Sequence, residues 1–297
     1  MEGAQKKGMR RAVLLLATMA LALLLAVGVA QAIINGEPDT GPNAHPYVGA
    51  LVSVPPSGQF KGQRIPICSG TLISARVFLT AGHCTDILIR ENLPSHVSLD
   101  PTYKPGSSEV ISATPYTHPL FCIPTPENKA DCTPELPKIL ALLRDVRYDV
   151  GVAVLNEPVR MATYGALPTA GLVDTLKEGQ RLTVVGYGVS GFDRGGDGPL
   201  PQPQAVFTGE RSRATVRLLT PLNSAVGDQL VKTSGIGIVG GGEGPCSGDS
   251  GGPLFGADQG TIVGVTSAHA APLLCRGPAY YQRMDLPGVL KWVRSFP

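Results

Sequence analysis

Short apolar runs separated by turn residues recur along the chain and predict β-strands. The runs are rich in Val, Leu, Ile and Thr and are bounded by Gly, Pro, Asn or Asp, a pattern typical of strands. The predicted strands are Tyr47–Val54, Gly70–Thr80, Val150–Leu155, Arg181–Gly186, Ala214–Leu219 and Thr261–Ser267. Because these runs are short and numerous and helical periodicity is scarce, the pattern favours an all-β sandwich or barrel.

One helix and three loops complete the predicted set of elements. Apolar residues recur at helical spacing near the C-terminus, at Leu286, Val289, Leu290 and Val293. Asp285 is the predicted N-cap of this helix, and Pro287 lies in its first turn. Stretches rich in Pro or Gly predict surface loops at Pro115–Pro137, Ser190–Gln204 and Gly235–Pro245.

The first 32 residues have the pattern of a secretory signal peptide. Basic residues lie between Lys6 and Arg11, the stretch Ala12–Val29 is uncharged and almost wholly apolar, and Ala30-Gln31-Ala32 is similar to an A-x-A cleavage site. We therefore predict that residues 1–32 are removed and that the remainder is secreted. The alternative is a retained membrane anchor, since the apolar stretch is nearly long enough to span a bilayer. No second such stretch follows, so we expect no membrane association after cleavage.

Composition and charge exclude two broad classes of protein. The chain has 297 residues, of which 43% are hydrophobic and 16% are charged, so it can bury a core and is not expected to be disordered. The net charge of +2 becomes −1 when residues 1–32, with four positive residues and one negative residue, are removed. Binding to nucleic acid, which needs a positive excess, is therefore not expected.

All six cysteines lie after the predicted signal peptide: Cys68, Cys84, Cys122, Cys132, Cys246 and Cys275. An even number in an exported chain predicts three disulfides, although the spacings alone leave the pairing open. Free thiols or metal ligands are the alternative, but the paired C-x-x-C pattern of a zinc site is absent from the sequence.

The most specific chemical signal is the string Gly248-Asp249-Ser250-Gly251-Gly252-Pro253. Glycines beside a serine permit an exposed tight turn and leave room for a substrate carbonyl near the backbone N–H groups. A serine hydroxyl is a weak nucleophile and needs a neighbouring base. A shorter Gly-x-Ser-Gly run would more often be an ordinary turn, but the six-residue string favours a nucleophile at Ser250.

A base and an acid are available for that nucleophile. Among the five histidines, His83 follows an apolar run in Leu79-Thr80-Ala81-Gly82-His83-Cys84, and Asp149 opens the apolar run of Val150–Leu155. Alone, each would be interpreted as a structural residue at a strand end. A buried carboxylate is costly unless it is paired, so together with Ser250 the two residues predict a catalytic set.

Three segments resemble the signature regions of chymotrypsin/trypsin-like serine endopeptidases: CSGTLIS…LTAGHC, YDVGVAVL and CSGDSGGP. The chain order His, Asp, Ser matches this family and differs from that of subtilisins and α/β-hydrolases. Val185-Gly186-Tyr187-Gly188 is similar to the family's Gly-Trp-Gly segment, with Tyr in place of Trp. The resemblance covers residues 33–297 and implies two antiparallel six-stranded β-barrels, 33–160 and 161–297, with the active site between them and a C-terminal helix.

The resemblance also implies roles for individual residues. His83, Asp149 and Ser250 would form the catalytic triad, and the N–H groups of Gly248 and Ser250 would form the oxyanion hole. Ser267 aligns with a serine that supports the triad aspartate. No cofactor or metal is implied. The implied disulfides are Cys68–Cys84 and Cys246–Cys275, which leaves Cys122–Cys132 as a bridge within its own loop.

An activation ion pair is implied as well. The mature chain is expected to begin Ile33-Ile34-Asn35-Gly36, and its new ammonium would pair with Asp249 inside the protein. Because the A-x-A site lies directly before Ile33, we hypothesise that removal of the signal peptide itself creates the active N-terminus. Trimming by another protease is the alternative.

The implied substrate pocket carries no charge at its floor. Family alignment places the floor at Gly244, beside Pro245, and the walls near Ser267, His269 and Ala279. Without an acid at the floor, a preference for Lys or Arg is not supported. Gly and Ala favour an apolar or medium-sized side chain, whereas His269 at the rim would favour an acidic one.

The sequence therefore predicts a secreted serine endopeptidase acting on protein or peptide substrates and open to protein inhibitors. One alternative is a catalytically silent family member that serves as a binding module, although such homologues typically lose a triad residue or the glycine beside the serine. Another is a disulfide-linked adhesive or lectin-like β-domain, which would leave the three motifs unexplained.

Overall fold

The structure is a computed structural model that describes residues 33–42, 44–57, 60–122, 147–195, 202–220, 229–237, 241–271 and 275–297. The predicted signal peptide and Cys132 lie outside these ranges, so the signal and the Cys122–Cys132 bridge stay predictions. Within these ranges, no helix is long and apolar enough to cross a membrane.

The first barrel is closed by six antiparallel strands, paired in the order β2-β3-β4-β7-β6-β5. They are β2 (Val48–Ser53), β3 (Ile65–Leu72), β4 (Val77–Thr80), β5 (His96–Ser98), β6 (Ile111–Thr117) and β7 (Gly151–Leu155). The predicted run Gly70–Thr80 is thus not one strand but the end of β3 and all of β4, joined by a turn. The sequence does not predict this turn because residues 73–76, Ile-Ser-Ala-Arg, contain neither Gly nor Pro.

The second sheet also closes on itself. Its strands follow the order β1-β11-β12-β15-β14-β13-β8, and β8 pairs with β11 as well, so the strands other than β1 form a closed cycle. They are β1 (Glu37–Pro38), β8 (Arg181–Gly186), β11 (Ser212–Thr220), β12 (Leu230–Thr233), β13 (Pro253–Phe255), β14 (Ile262–Ala271) and β15 (Arg276–Arg283). The all-β prediction with two closed strand cycles is confirmed, while the division at residue 160 stays a prediction.

Two of the predicted loops begin or end in strands. Ser190–Gln204 contains β9 (Gly191–Gly195), and its last three residues begin β10 (Gln202–Val206), which pairs with β9 as a two-stranded ribbon. Pro115 lies within β6, opposite Ala153 of β7. Proline is accommodated there because β5 pairs with β6 only at Ile111 and Ser112, so Pro115 has a strand neighbour on one side only.

The described part of the chain contains the α-helices α1 (Gly82–Arg90) and α2 (Pro287–Val293) and a short 3-10 helix at Leu172–Thr175. The C-terminal helix α2 confirms the prediction, but its N-cap is Leu286 and not Asp285. The Asp285 carboxylate instead accepts the N–H of Val173 at 2.9 Å and binds Arg283. Helix α2 packs with the core of the first barrel.

Candidate active site

Pairing of β4 with β7 brings His83 and Asp149 together. Thr80 lies opposite Gly151 in this pair, so the start of α1 and the two residues before β7, Asp149 and Val150, are neighbours. Gly151 is needed here, because a Cβ would collide with the Thr85 side chain and lie 2.7 Å from Ala81 O. The site therefore lies where one barrel strand turns into a helix beside the entry to another strand.

His83 makes three close contacts with the Asp149 carboxylate. The His83 backbone N–H donates to Oδ1 at 2.8 Å, and ring atom Nδ1 lies 3.1 Å from Oδ1 and 2.8 Å from Oδ2. Asp149 is fully buried, whereas the His83 side chain is 27% exposed. The aspartate therefore fixes the ring and leaves the other ring nitrogen for chemistry at the surface.

Two further side chains hold Asp149 in place. Ser267 Oγ donates to Asp149 Oδ2 at 2.5 Å, and Gln282 Oε1 accepts the Asp149 backbone N–H at 3.0 Å. Burial raises the pKa of Asp149, but the His83 charge and the hydrogen bonds from His83 and Ser267 lower it below its ordinary value. Burial lowers the pKa of His83, while the Asp149 charge and hydrogen bond raise it above its ordinary value. The pair is therefore built to favour an imidazolium beside a carboxylate.

Two glutamines that bind the backbone next to the site, Gln229 and Gln282, are not predicted by the sequence. Tyr148, directly before Asp149, has a positive φ of 50°, which is uncommon for a residue other than glycine. Gln229 Oε1 accepts the Tyr148 N–H at 3.2 Å, and Gln282 Nε2 donates to Gln229 O at 3.2 Å. No local sequence pattern distinguishes a glutamine that holds a distant backbone segment by hydrogen bonds from any other glutamine.

The backbone of Ser250 lies beside the segment that carries His83. Ser250 O accepts the Ser69 N–H at 2.8 Å and lies 3.9 Å from Cys84 Sγ. Gly251 follows with φ of 83°, and a Cβ there would collide with Thr80 and with Ser69 O. Among the described residues, no hydrogen bond joins Ser250 Oγ to His83.

Gly248 and Ser250 present two unpaired backbone donors. Gly248 has φ of 94°, and its carbonyl is turned toward Ser69 Oγ, which donates to it at 2.9 Å. Within the described ranges, the N–H groups of Gly248 and Ser250 have no hydrogen-bond acceptor. The arrangement can therefore donate two hydrogen bonds to an incoming oxygen.

Two disulfides flank these segments: Cys68–Cys84 and Cys246–Cys275. They are the two pairs that the resemblance implied. Cys68, His83 and Cys84 lie close enough to suggest a metal site, but both sulfur atoms are already bonded to each other. This cluster is therefore not a set of thiolate ligands.

A model of the trypsin family matches residues 33–293. The chain belongs to the trypsin family. It is 27% identical to a trypsin of Phaedon cochleariae, over 94% of this chain and 95% of that protein. It is 24% identical to a cercarial protease of Schistosoma mansoni, over 88% of each. The family resemblance seen in the motifs is confirmed.

Solved structures show the same fold at lower identity. A structure of HL collagenase has a TM-score of 0.59 at 19% identity, covering 89% of this chain and 97% of the other. Human heparin binding protein has a TM-score of 0.57 at 19% identity, covering 89% and 96%. At this identity the likeness concerns the trypsin fold and not the activity.

Asp249 of this trypsin-family chain is a fully buried carboxyl with no cationic partner among the described residues. Its Oδ1 accepts the Gly188 N–H and its Oδ2 accepts the Cys246 N–H, both at 2.8 Å. Burial raises its pKa to about 7, although the two backbone hydrogen bonds act in the opposite direction. A buried carboxylate of this kind would be stabilised in its ionised form by a positively charged partner.

The segment at Ile33 lies near that acid. Ile34 exchanges two backbone hydrogen bonds of 3.2 Å with Gly244, two residues before Cys246. Ile33 is fully buried and packs in the core of the second sheet. Its φ of 64° is an outlier for a β-branched residue.

The residues of the implied substrate pocket lie in β14, in β15 and in the segment directly before Cys246. Gly244 is tightly packed, because a Cβ there would lie 3.2 Å from Gly235 Cα. Ser267 is bound to Asp149, and His269 lies opposite Ala279 in the pairing of β14 with β15. Pro245 and Ala279 are buried. Burial lowers the pKa of His269 to about 4, so this side chain is uncharged at neutral pH.

Proposed function

We propose that the chain beginning at Ile33 is a secreted serine endopeptidase in which His83, Asp149 and Ser250 form the catalytic triad. The observation that carries the proposal is the fully buried Asp149, which contacts both the backbone N–H and Nδ1 of His83 and is bound by Ser267. A buried carboxylate oriented on an imidazole has the geometry of a base that activates a hydroxyl.

The chemistry follows from this arrangement. Ser250 Oγ attacks the scissile carbonyl carbon, and its proton passes to His83 Nε2. The carbon–nitrogen bond then breaks as His83 gives that proton to the leaving amine. Water attacks the acyl-enzyme by the same route, releasing the acid and restoring Ser250. Asp149 remains ionised throughout and stabilises the imidazolium.

The oxyanion that forms during each attack needs hydrogen-bond donors. The N–H groups of Gly248 and Ser250 are proposed for this role because they are unpaired and flank the buried Asp249. A donor of this kind typically contributes about 100- to 1,000-fold to the rate. Asp249 lies between these two residues in the chain and is fully buried, so it is proposed as the partner of the Ile33 ammonium.

Activation is proposed to follow from removal of residues 1–32. Cleavage before Ile33 supplies an ammonium near Gly244 and Cys246. N-terminal sequencing of secreted, fully active protein should give Ile33 as the first residue. Another first residue in fully active material would show that signal removal is not the activating cut.

Specificity is proposed for an apolar or medium-sized side chain on the acyl side of the scissile bond. Gly244 and Ala279 offer no charge, and the His269 imidazole is uncharged at neutral pH because its pKa is lowered to about 4. An acidic side chain would therefore lose its hydration without gaining a cationic partner.

The first test is covalent labelling of Ser250 together with cleavage of a diverse peptide library. The protein starting at Ile33 should react with a fluorophosphonate and cleave peptides, and Ser250→Ala should do neither. Ser247→Ala is a matched control because this serine lies in the same turn but outside the triad, and it should be labelled. A correctly processed protein that neither labels nor cleaves would instead be a silent homologue acting as a binding module.

A further inference from the structure

A second cluster of buried charges lies away from the proposed triad, where the N-terminal segment meets the second sheet. Asp39, directly after β1, is fully buried, and His45 and Arg211 are almost fully buried. Burial of charged groups is costly unless they are paired and hydrogen-bonded. The proposed peptide cleavage uses none of these three residues, so the cluster has some other role.

Both oxygens of the Asp39 carboxylate are bound. Oδ1 lies 2.8 Å from His45 Nδ1, and Oδ2 accepts the Arg211 Nε–H and the His45 backbone N–H, each at 2.8 Å. The other ring nitrogen of His45 lies 3.1 Å from Gln259 O, so both ring nitrogens face oxygen acceptors. Arg213 adds a more distant cation, 3.9 Å from Oδ1. Burial raises the pKa of Asp39, but His45 and Arg211 hold it below its ordinary value, which favours the ionised carboxylate.

Arg211 joins this cluster to the second sheet and to the first barrel. It lies directly before β11, and its carbonyl accepts the Asp39 backbone N–H at 2.9 Å. Its Nη1 donates to the carbonyl of Val48, the first residue of β2, and its Nη2 donates to Asp39 O, both at 3.3 Å. A guanidinium suits these contacts because its N–H groups point in several fixed directions. The chain at Asp39 is thus fixed to the beginnings of two strands.

The segment between Ile33 and Asp39 is bound by weaker contacts. Strand β1 pairs with β11 over Glu37 and Pro38, and the ion pair between Glu37 and Arg213 is exposed on the Glu37 side, so it contributes little. Ordering a free chain end costs conformational entropy for each residue that becomes fixed. A new N-terminus therefore reaches a buried partner more readily when the other end of its segment is already in place.

We propose that Asp39, His45 and Arg211, here called the buried anchor, position the new N-terminus. The buried anchor is already formed while residue 32 is attached, so it does not depend on cleavage. After cleavage, the short segment that leaves Asp39 keeps the Ile33 ammonium close to Asp249. The three residues are positioning residues, because they act on the oxyanion segment only through the N-terminus. This proposal rests on the proposed peptidase function and on activation at Ile33.

The test compares the pH profile of the protein that begins at Ile33 with that of its Asp39→Asn variant. A free α-amino group has a pKa near 8, and pairing with the buried Asp249 carboxylate would raise it. Activity should therefore fall at high pH as the Ile33 ammonium loses its proton and leaves Asp249. In Asp39→Asn this alkaline limb of kcat/KM should move down by about one pH unit, which corresponds to a roughly 10-fold weaker insertion.

The same profile separates positioning from a general loss of structure. At pH 7 the kcat/KM of Asp39→Asn should be within about 2-fold of wild type, and above both limbs it should be roughly 10-fold lower, because the competent fraction falls. The initial rate of fluorophosphonate labelling should follow the same pattern. The acid limb, which reports His83, should not move. A loss of folded protein would instead lower the whole profile by one factor.

Glu37→Gln is the matched control. Glu37 is closer to Ile33 along the chain and also pairs with an arginine at 2.8 Å, but its side chain is 65% exposed, so the alkaline limb should stay within about 0.2 pH units of wild type. If Asp39→Asn does not fold, Arg211→Lys carries the test. One ammonium cannot replace all three guanidinium contacts, so a smaller shift in the same direction is expected.

Three results would overturn the inference while leaving the peptidase intact. They are a wild-type alkaline limb in the folded anchor variant, an equal shift in Glu37→Gln, and a wild-type protein whose activity does not fall at high pH. Absence of both peptide cleavage and fluorophosphonate labelling in the wild-type protein that begins at Ile33 would instead remove the peptidase function and this inference with it.

Discussion

The pKa of His83 depends on burial and, in the opposite direction, chiefly on the adjacent Asp149 carboxylate. Burial alone would lower the pKa of His83, but the adjacent carboxylate reverses this and holds the pKa above its ordinary value. A general base acts only when it is unprotonated. The activity of this protein is therefore expected to rise with pH as His83 loses its proton.

Asp149→Asn should change both the rate and the pH profile. Without the carboxylate charge, the pKa of His83 falls, so the acid limb of kcat/KM should move to lower pH. The plateau rate should fall by about 10,000-fold, because the amide does not favour the correct tautomer of the imidazole. Both effects are measured by peptide cleavage from about pH 5 to 9.

Asp86→Asn provides the matched control for that variant. Asp86 also raises the pKa of His83, but it does so from a distance and is itself paired with Arg90. We expect a small shift of the acid limb and a plateau rate close to that of wild type. An acid limb that is identical in Asp149→Asn and wild type would contradict the proposed electrostatic coupling.

The residues with local motifs were predictable from sequence, and those without were not. His83, Asp149 and Ser250 each lie in a distinctive string, and the structure brings His83 and Asp149 together. Gln282 lies 133 positions from the Asp149 N–H that it accepts, in a strand where a glutamine carries no signal. Such a contact depends on long-range strand pairing, which no local pattern encodes.

At the scale of elements, β15 positions the start of β7 through side-chain hydrogen bonds. Gln282 of β15 accepts the Asp149 N–H and also donates to the carbonyls of Gln229 and Arg283. Gln229 in turn accepts the N–H of Tyr148, whose backbone has positive φ. The two glutamines therefore hold a strained turn that aims the aspartate at His83.

Gln282→Met should impair catalysis without weakening substrate binding. The methionine fills a similar volume but cannot accept the Asp149 N–H, so the aspartate is less well oriented. We expect kcat to fall by roughly 10- to 100-fold with little change in KM, and the acid limb to shift as the contact between Asp149 and His83 loosens. Kinetics on one peptide across pH measures all three quantities.

Gln180→Met is the control for a buried-sheet glutamine, because Gln180 lies in the turn directly before β8 and away from the site. Its side chain accepts only the Lys177 N–H at 3.2 Å, so kcat and the pH profile should be unchanged. If Gln282→Met is folded and retains the wild-type kcat and acid limb, Gln282 is not a positioning residue.

Element types were predicted well where the apolar pattern was clear and poorly where a turn lacked its usual residues. Helix α1 was missed because its N-cap is Ala81, which provides no side-chain hydrogen bond, and because the helix directly follows an apolar strand. The ribbon of β9 and β10 was predicted as a loop because its glycines and prolines resemble turn residues. Backbone pairing between the two strands overrides that local composition.

At the scale of the whole molecule, the N-terminal segment joins the second sheet to the proposed oxyanion hole. Strand β1 pairs with β11, Ile34 pairs with Gly244, and Gly248 adjoins the buried Asp249. With residue 32 attached, Ile33 has no ammonium and Asp249 has no cation beside it within the described residues. Whether the peptide bond between Ala32 and Ile33 is intact or cleaved thus determines whether a cation is available to pair with the buried Asp249 carboxyl.

This coupling makes a prediction about stability and pH. In a chain that retains Ala32, burial raises the pKa of Asp249 to about 7, above its value in the unfolded chain. A folded-state pKa that is raised contributes stability below the unfolded pKa, near 4, and that contribution is lost as pH rises through about 7. The free energy of unfolding of this chain should therefore decrease by an amount on the order of 4 kcal/mol across that window.

A chain that begins at Ile33 should behave differently, because the proposed ion pair between its ammonium and Asp249 would lower the pKa of the carboxyl. Urea unfolding of both chains at pH 5, 6, 7 and 8 measures the difference. Asp249→Asn should remove the pH-dependent loss from the Ala32-retaining chain and destabilise the Ile33 chain at pH 7, since its ammonium then lacks a partner. Identical pH dependence in the two chains would contradict the ion pair, because only one of them has a free amino group at Ile33.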